Sequence, residues 1–342
     1  MMKQLHRCLP LITLLLVSCG NMAINSYQQK LQKAIDEISK MEGYPDGPFE
    51  FGDPEKPDTN HPYFYLRDSV EKEDLKRLLN HINPIIRIYS FRALTKKYDS
   101  ANFQTLIEHL SDTTKIMVFY YDVISPSTVA DIMISIGMKN CYFERDKMDL
   151  LRDMILLHNN NLETTNHILN DIKPIEKYYE TIRRLAQENY SESAYIALAQ
   201  YKKREDIPII KMGFDSLSIY RGKIFKAIEY FPNPAFLPML FNHFDTRVKK
   251  DMSALYEFEF YFKALAKYQR SDCLRILNTM KQREYYSSDG YYESNRIHIL
   301  NAIHKYYCPL YKELYEELKM DVLKYGKYRD PYYKEFFSND WW

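Results

Sequence analysis

Four short segments of this 342-residue chain end in the same way: ALAQY at 197–201, AIEYF at 227–231, ALAKY at 264–268 and AIHKY at 302–306. Each has an alanine, a large aliphatic beside it and an aromatic four residues after the alanine. A repeat of thirty to thirty-eight residues, as between Ala197, Ala227, Ala264 and Ala302, marks stacked supersecondary units. In the first three a second helix is expected soon after. Its apolar residues fall six and nine positions past the aromatic, at Ile207 and Ile210, Leu237 and Leu240, and Leu274 and Leu277. The fourth departs, because Lys312 and Tyr315 fill those places. The physical unit is a pair of helices. The alanine lets the first helix approach its neighbour, and the aliphatic and aromatic side chains fill the seam. One pair cannot bury its apolar face alone, so pairs must stack.

The rest of the chain supports a helical body over 63–325. From about residue 63, apolar residues recur at i, i+3, i+4 and i+7, and the breaks are short and rich in Asn, Pro, Asp or Ser. Lys115 to Ser125, KIMVFYYDVIS, is the exception. Its β-branched and aromatic residues predict a hairpin or extended insertion that ends at Pro126. Ahead of the body, residues 19–62 are expected to form a tether. A helix over Ser26–Met41 would carry Leu31, Ile35 and Ile38 on one face, followed by a wet Pro- and Asp-rich stretch at 43–62. The acidic residues there (Asp46, Asp53, Glu55 and Asp58) fit no calcium loop. Residues 326–342 form an aromatic tail expected to cap the last unit.

Three stretches carry a family resemblance. NPIIRIYSFRAL at 83–94 resembles the start of a HEAT repeat, with Asn83-Pro84 opening the helix, Arg87 following and Ala93-Leu94 closing the core stripe. REDIPIIKMGF at 204–214 and NPAFLPMLFNHF at 233–244 resemble second helices of bilin-lyase-type HEAT units, with Pro208 and Pro238 in matching positions. The likeness spans roughly residues 65–320 and is weak at 115–190. It implies an all-α, armadillo-type α-α superhelix, a HEAT-like solenoid with one short β-like insertion near 115–125. It also implies a protein-binding scaffold, the contact lying on the surface made by the second helices, but it assigns no activity, because function lives in sites.

The N-terminus bounds location. Lys3 and Arg7 precede an apolar run from Leu9 to Val17, too short to cross a bilayer as a helix. Leu16-Val17-Ser18-Cys19 closes it and resembles the lipobox of bacterial lipoproteins. That resemblance implies a signal peptide over 1–18, cleavage before Cys19, and diacylglycerol and palmitate-type chains on the new terminus. Several such chains make a stable anchor. Position 20 is Gly rather than Asp, so the expected location is the outer membrane facing the periplasm. Loss of residues 1–18 takes the formal charge from +1 to −1, which leaves no basic field for nucleic acid.

No catalytic motif is legible. HExxH, GxSxG and a phosphate-cradling GK[ST] are missing, and nine glycines are few for a nucleotide site. The nine histidines are scattered; His298 and His304, six apart, fall on different helix faces. Cys308 has His304 four residues earlier, but Pro309 follows at once and ends the helix. No metal site, cofactor or catalytic set is expected. Cys141, Cys273 and Cys308 outlast the signal and the anchor; free thiols are expected, with a Cys273–Cys308 bridge as the alternative. Tyrosine is in excess, 31 residues, and clusters at Tyr285-Tyr286 and Tyr291-Tyr292 around a Ser-Ser-Asp-Gly turn. Those four residues are candidate binding residues, because tyrosine gives contact area at low entropy cost. Packing in helix seams is the other role for so many rings. The expected function is therefore a membrane-anchored scaffold for an unidentified envelope protein. A glycan-binding accessory lipoprotein is the alternative, and a hydrolase on the same scaffold a remote one.

Overall fold

A computed structural model describes residues 25–325, apart from 47–51, 54–55, 59, 98–101, 121, 142, 189–190, 217–220, 249–254 and 282–294. The chain is predominantly helical, with one small three-stranded sheet and one two-stranded ribbon among the described residues. It divides into two compact units, with the break between Thr165 and Asn166. The break falls where the repeat resemblance is weak.

The first unit contains α1 (residues 25–38), β1 (Tyr44–Pro45), β2 (Gly52–Asp53), β3 (Lys56–Pro57), α2 (Pro62–Ser69), α3 (Lys72–Leu78), α4 (Pro84–Lys97) and α5 (Asn102–Glu108). They are followed by β4 (Lys115–Tyr120), β5 (Val123–Thr128), α6 (Val129–Asn140), α7 (Arg145–His158) and the start of α8 (Thr164–Asp171). Its centre is α4, which packs on α2, α3 and α6. Ile85, Ile86, Ile88, Tyr89, Phe91, Ala93 and Leu94 are all buried, the signature of a helix covered on every side. The start of α4 explains the NPIIR motif. The Asn83 side chain accepts from the Ile85 amide at 2.9 Å, and Pro84 stands where no amide is needed. Arg87 reaches back to the His81 carbonyl at 2.8 Å and pairs with Asp112 at 2.9 Å, fastening the loops at that end of the helix.

The expected hairpin forms, with one difference: β5 runs through Pro126 to Thr128 instead of stopping before it. Strand order β1-β4-β5 leaves β5 at the edge, where a residue without an N–H is tolerated. β1 pairs parallel to β4, Tyr44 opposite Val118 and Pro45 opposite Phe119. Gly43 is needed at that approach, since a Cβ there would stand 2.5 Å from the Met117 carbonyl oxygen and the Phe119 ring.

The described part of the 19–62 segment is fastened to the body. Leu31, Ala34 and Ile38 of α1 are buried, while Ile35 turns half outward. The Tyr27 hydroxyl donates to Asp74 at 2.6 Å and accepts from the Glu71 amide at 3.1 Å. Tyr44 is buried edge-on against Tyr89, and its hydroxyl accepts from Arg92 at 3.0 Å. A buried aromatic among prolines and aspartates is what holds this stretch down.

The second unit contains α9 (Tyr179–Gln187), α10 (Glu192–Ala199), α11 (Ile207–Ser216), α12 (Arg221–Tyr230), α13 (Leu237–His243), α14 (Leu255–Lys267), α15 (Ser271–Met280), α16 (Asn295–Lys305) and α17 (Lys312–Tyr325). The helices that carry the repeated ending pack in series, α10 on α12, α12 on α14 and α14 on α16. Ala197, Ala227, Ala264 and Ala302 all lie in the seams, fully buried, as do Leu198, Ile228, Leu265 and Ile303 beside them. Further in, Phe225, His243 and Tyr261 nest together with centroids 5.0–5.4 Å apart.

The turns add a position that periodicity does not reveal. Five residues past each repeated aromatic stand Asp206, Phe236, Cys273 and Tyr311, and each is completely buried. In three of the four turns this residue ends a 3-10 turn leading into the second helix. The fourth unit therefore keeps its core despite Lys312 and Tyr315, because Tyr311, Leu314 and Leu318 fill it instead.

Candidate interaction surface

The repeated aromatics sit half-buried or buried at the ends of the first helices, and most are tied by a hydroxyl to a neighbouring element. Tyr201 donates to the Ile175 carbonyl at 2.7 Å and accepts from the Ile175 amide at 3.1 Å. Tyr268 donates to the Asn233 carbonyl at 2.7 Å. Phe231, lacking a hydroxyl, packs edge-on against Phe236. Tyr311 at the buried turn position donates to the Ala266 carbonyl at 2.9 Å. These rings do two jobs, filling a seam and satisfying a backbone carbonyl of an adjacent unit.

Tyr306 is tied differently, and the difference makes a surface. Its hydroxyl donates to Glu229 at 2.5 Å, and Lys305 pairs with the same carboxylate at 2.7 Å. Glu229 is on α12 and Lys305 on α16, so the contact passes over α14. The intervening helix takes part, because the Lys267 ammonium lies 4.4 Å from the centre of the Tyr306 ring. One helical turn and two helical turns earlier on α14 come Lys263 and Glu259, which form an ion pair. Burial works to raise the Glu259 carboxyl, but its hydrogen bond to Lys263 and the charges of Lys263, His298 and Lys305 prevail and hold it below the usual range. Burial, with Glu229 beside it, pushes the Tyr306 hydroxyl well up, so it stays a donor. Three first helices thus share one charged network of alternating sign.

A second cluster closes the first of these turns. Asp206 accepts from the Tyr179 hydroxyl at 3.1 Å on both carboxylate oxygens and from Arg183 at 3.2 Å. Burial raises its carboxyl above the ordinary range against those two hydrogen bonds. Burial and the Asp206 charge push Tyr179 up to about 12. The Lys203 ammonium stands 3.3 Å from the Tyr179 ring centre and pairs with Glu176 at 3.0 Å. All these groups answer one another, and the arrangement locks the turn.

The candidate residues of the sequence fall unevenly. Cys19, Tyr285, Tyr286, Tyr291 and Tyr292 lie outside the described residues. Among the described tyrosines, Tyr44, Tyr63, Tyr89, Tyr178, Tyr179, Tyr195, Tyr261 and Tyr311 are buried, while Tyr120, Tyr230 and Tyr307 are exposed. The alternative Cys273–Cys308 bridge does not form: Cys141, Cys273 and Cys308 are free, and only Cys273 is fully buried. Burial, then the charge of Asp272, pushes its thiol up to about 12. His304 turns to Tyr315, ring against ring, with Nδ1 3.0 Å from the hydroxyl. His61 and His81 accept from backbone amides of their own turns at 3.2 and 3.1 Å. No group of three or more His, Cys, Asp or Glu among the described residues is placed to hold a metal ion. No helix of the described residues is long and apolar enough to cross a membrane.

The chain's sequence and fold find no counterpart to borrow from: no family model, no curated protein and no solved structure matches it.

Proposed function

We propose that this chain is a lipid-anchored helical-repeat scaffold that holds a protein partner in the bacterial cell envelope. The observation that carries the reading is the series packing of the four motif alanines. It sets α12, α14 and α16 side by side and puts Glu229, Glu259, Lys263, Lys267 and Lys305 into one charged strip. The HEAT-like register of the repeats supports a superhelical stack, in which such a strip continues from unit to unit. The lipobox at Leu16–Cys19 supports attachment through Cys19. Alternating charge on stacked helices selects a partner by complementarity and register.

The test is cross-linked capture from detergent-solubilised envelopes, with the wild-type chain, the double variant K263E/K267E and the control E313K on α17. The expected result is one protein enriched by wild type and by the control, and lost with the double variant. Equal capture by all three overturns the placement of the surface. No specific capture by wild type overturns the scaffold reading itself. Thermal unfolding of each variant accompanies the assay, so that loss of fold is not mistaken for loss of contact.

A further inference from the structure

The β4–β5 hairpin is apolar on both faces toward its tip. Tyr120 and Val123 pair on one face, Phe119 and Ile124 on the other. A sheet covered on one side alternates apolar with polar residues; here neither face near the tip is polar, and only the Phe119 ring, half-buried against Gly43, is partly covered. Tyr120, Val123 and Ile124 are 50%, 56% and 59% exposed. The base is the opposite, with Ile116 buried and Ser125, Ser127 and Thr128 polar. β4 is held as far as Phe119, since β1 pairs with it at Val118 and Phe119, the Asp46 amide donates to the Phe119 carbonyl at 2.9 Å and Lys139 pairs with Asp46 at 3.2 Å.

We propose that the tip of this hairpin dips into the headgroup region of the bilayer that holds the chain, a second membrane contact beside Cys19. The inference rests on the lipid-anchor reading. The length of chain favours this occupant. Tyr27 is fixed to Asp74 and Glu71 in the same unit, and eight residues separate it from Cys19, a span of at most roughly 28 Å. The hairpin belongs to that same unit, so its exposed end and the anchor are tied to one body. Edge pairing with another strand is the poorer use of β5, because Pro126 interrupts its row of donors. Aromatic and aliphatic side chains at a tip suit the membrane interface, and Asp122 at the turn keeps the insertion shallow. Acyl chains supply the affinity; the hairpin fixes which way the first unit faces.

The test is flotation with phosphatidylcholine vesicles. It compares the full lipidated chain, the chain from Gly20 onward without lipid, and that shorter chain with V123S/I124S. Both substituted side chains are more than half exposed, so the fold is retained, as circular dichroism would verify. The unlipidated chain is expected to partition weakly, and the double variant about tenfold less. Equal partitioning of the two unlipidated chains overturns the proposal, while flotation of the full chain would still leave the anchor standing. Failure of the full chain to float, with partitioning that depends on positions 123 and 124, removes the anchor and leaves the hairpin. Loss of a captured protein in the double variant, with vesicle partitioning unchanged, overturns the proposal in favour of a protein contact.

Discussion

The two units of this chain solve the same packing problem in opposite ways. In the first, one helix, α4, is buried all round, and other elements gather on it, including a three-stranded sheet and the docked α1. In the second, that role is not confined to one helix: α10 is buried from Ser193 to Ala199, and α12 and α14 share the core with it. Burial is spread over seams between α10, α12, α14 and α16, each with its own alanine, aromatic and buried turn residue. A centred core fails as a whole when its centre is damaged. A series of seams absorbs local damage and offers a repeated surface for binding.

The sharpest way to break this contrast is to remove a large side chain from each unit. Phe91→Ala in α4 empties a fully buried site at the centre of the first unit and is expected to cost about 3–5 kcal/mol. Ala264→Leu overfills one seam of the second, at about 1–3 kcal/mol. Differential scanning calorimetry should show the first change removing a whole transition and the second broadening one. Loss of the entire second transition by Ala264→Leu would mean that its seams do not act locally.

Next in size is the buried turn position. Asp206→Asn keeps the shape but weakens what Tyr179 and Arg183 hold, at a cost of about 2–3 kcal/mol. Phe236 occupies the same register position with no polar group to satisfy, and Cys273 does so with its thiol beside Asp272. At Cys273 pH reveals the burial. The native thiol titrates near 12, against 9.0 ordinarily, so its contribution is fully present below pH 9. Between pH 9 and 12 the unfolded chain ionises first, and stability falls by about 1.4 kcal/mol per pH unit from this group. Denaturant melts across that range measure it against Cys273→Ala, which should flatten the slope. Thiol titration of the native chain at pH 8 should modify Cys141 and Cys308 ahead of Cys273.

Much of the second unit is legible in the sequence, for a physical reason. A seam needs a small residue, an aliphatic and a ring at fixed spacing, and that leaves a recurring pattern of residue types. The buried position five residues past the ring was invisible because its demand is for volume in a turn, and Asp, Phe, Cys and Tyr all meet it with different partners. The charged strip was equally hidden, since Glu229 and Lys305 are 76 residues apart and meet only when α14 is in place. In the first unit, composition pointed the wrong way for Tyr44. Prolines and aspartates around it predicted a solvated tether, while a single ring against Tyr89 and a hydrogen bond from Arg92 decide the outcome. Smaller again is the worth of one tie: Tyr268→Phe leaves the Asn233 carbonyl with only the Phe236 amide as its donor and should cost about 1 kcal/mol by chemical denaturation. A cost near zero would mean that the rings hold the seams by volume alone.

The smallest expected effect separates backbone strain from side-chain contact in equivalent turns. One residue past the repeated aromatic, Lys202 has φ 56° and Gln269 has φ 53°, the left-handed conformation in which glycine replaces other residues at little cost. Pro232 stands at this position in the second repeat, and its ring confines φ to negative values, so that turn takes another path. At Lys202, glycine relieves the strain and loses only an exposed side chain, and the gain outweighs the added freedom of the unfolded chain by about 0.5 kcal/mol. At Gln269 the same relief is offset, because its amide donates to the Tyr306 carbonyl at 3.2 Å and that tie to the next repeat disappears. Lys202→Gly should therefore raise the denaturation midpoint of the second unit while Gln269→Gly leaves it unchanged. Equal gains from both would show that the Gln269 bond contributes nothing to the seam, and that neighbouring repeats are held there by their buried rings and alanines.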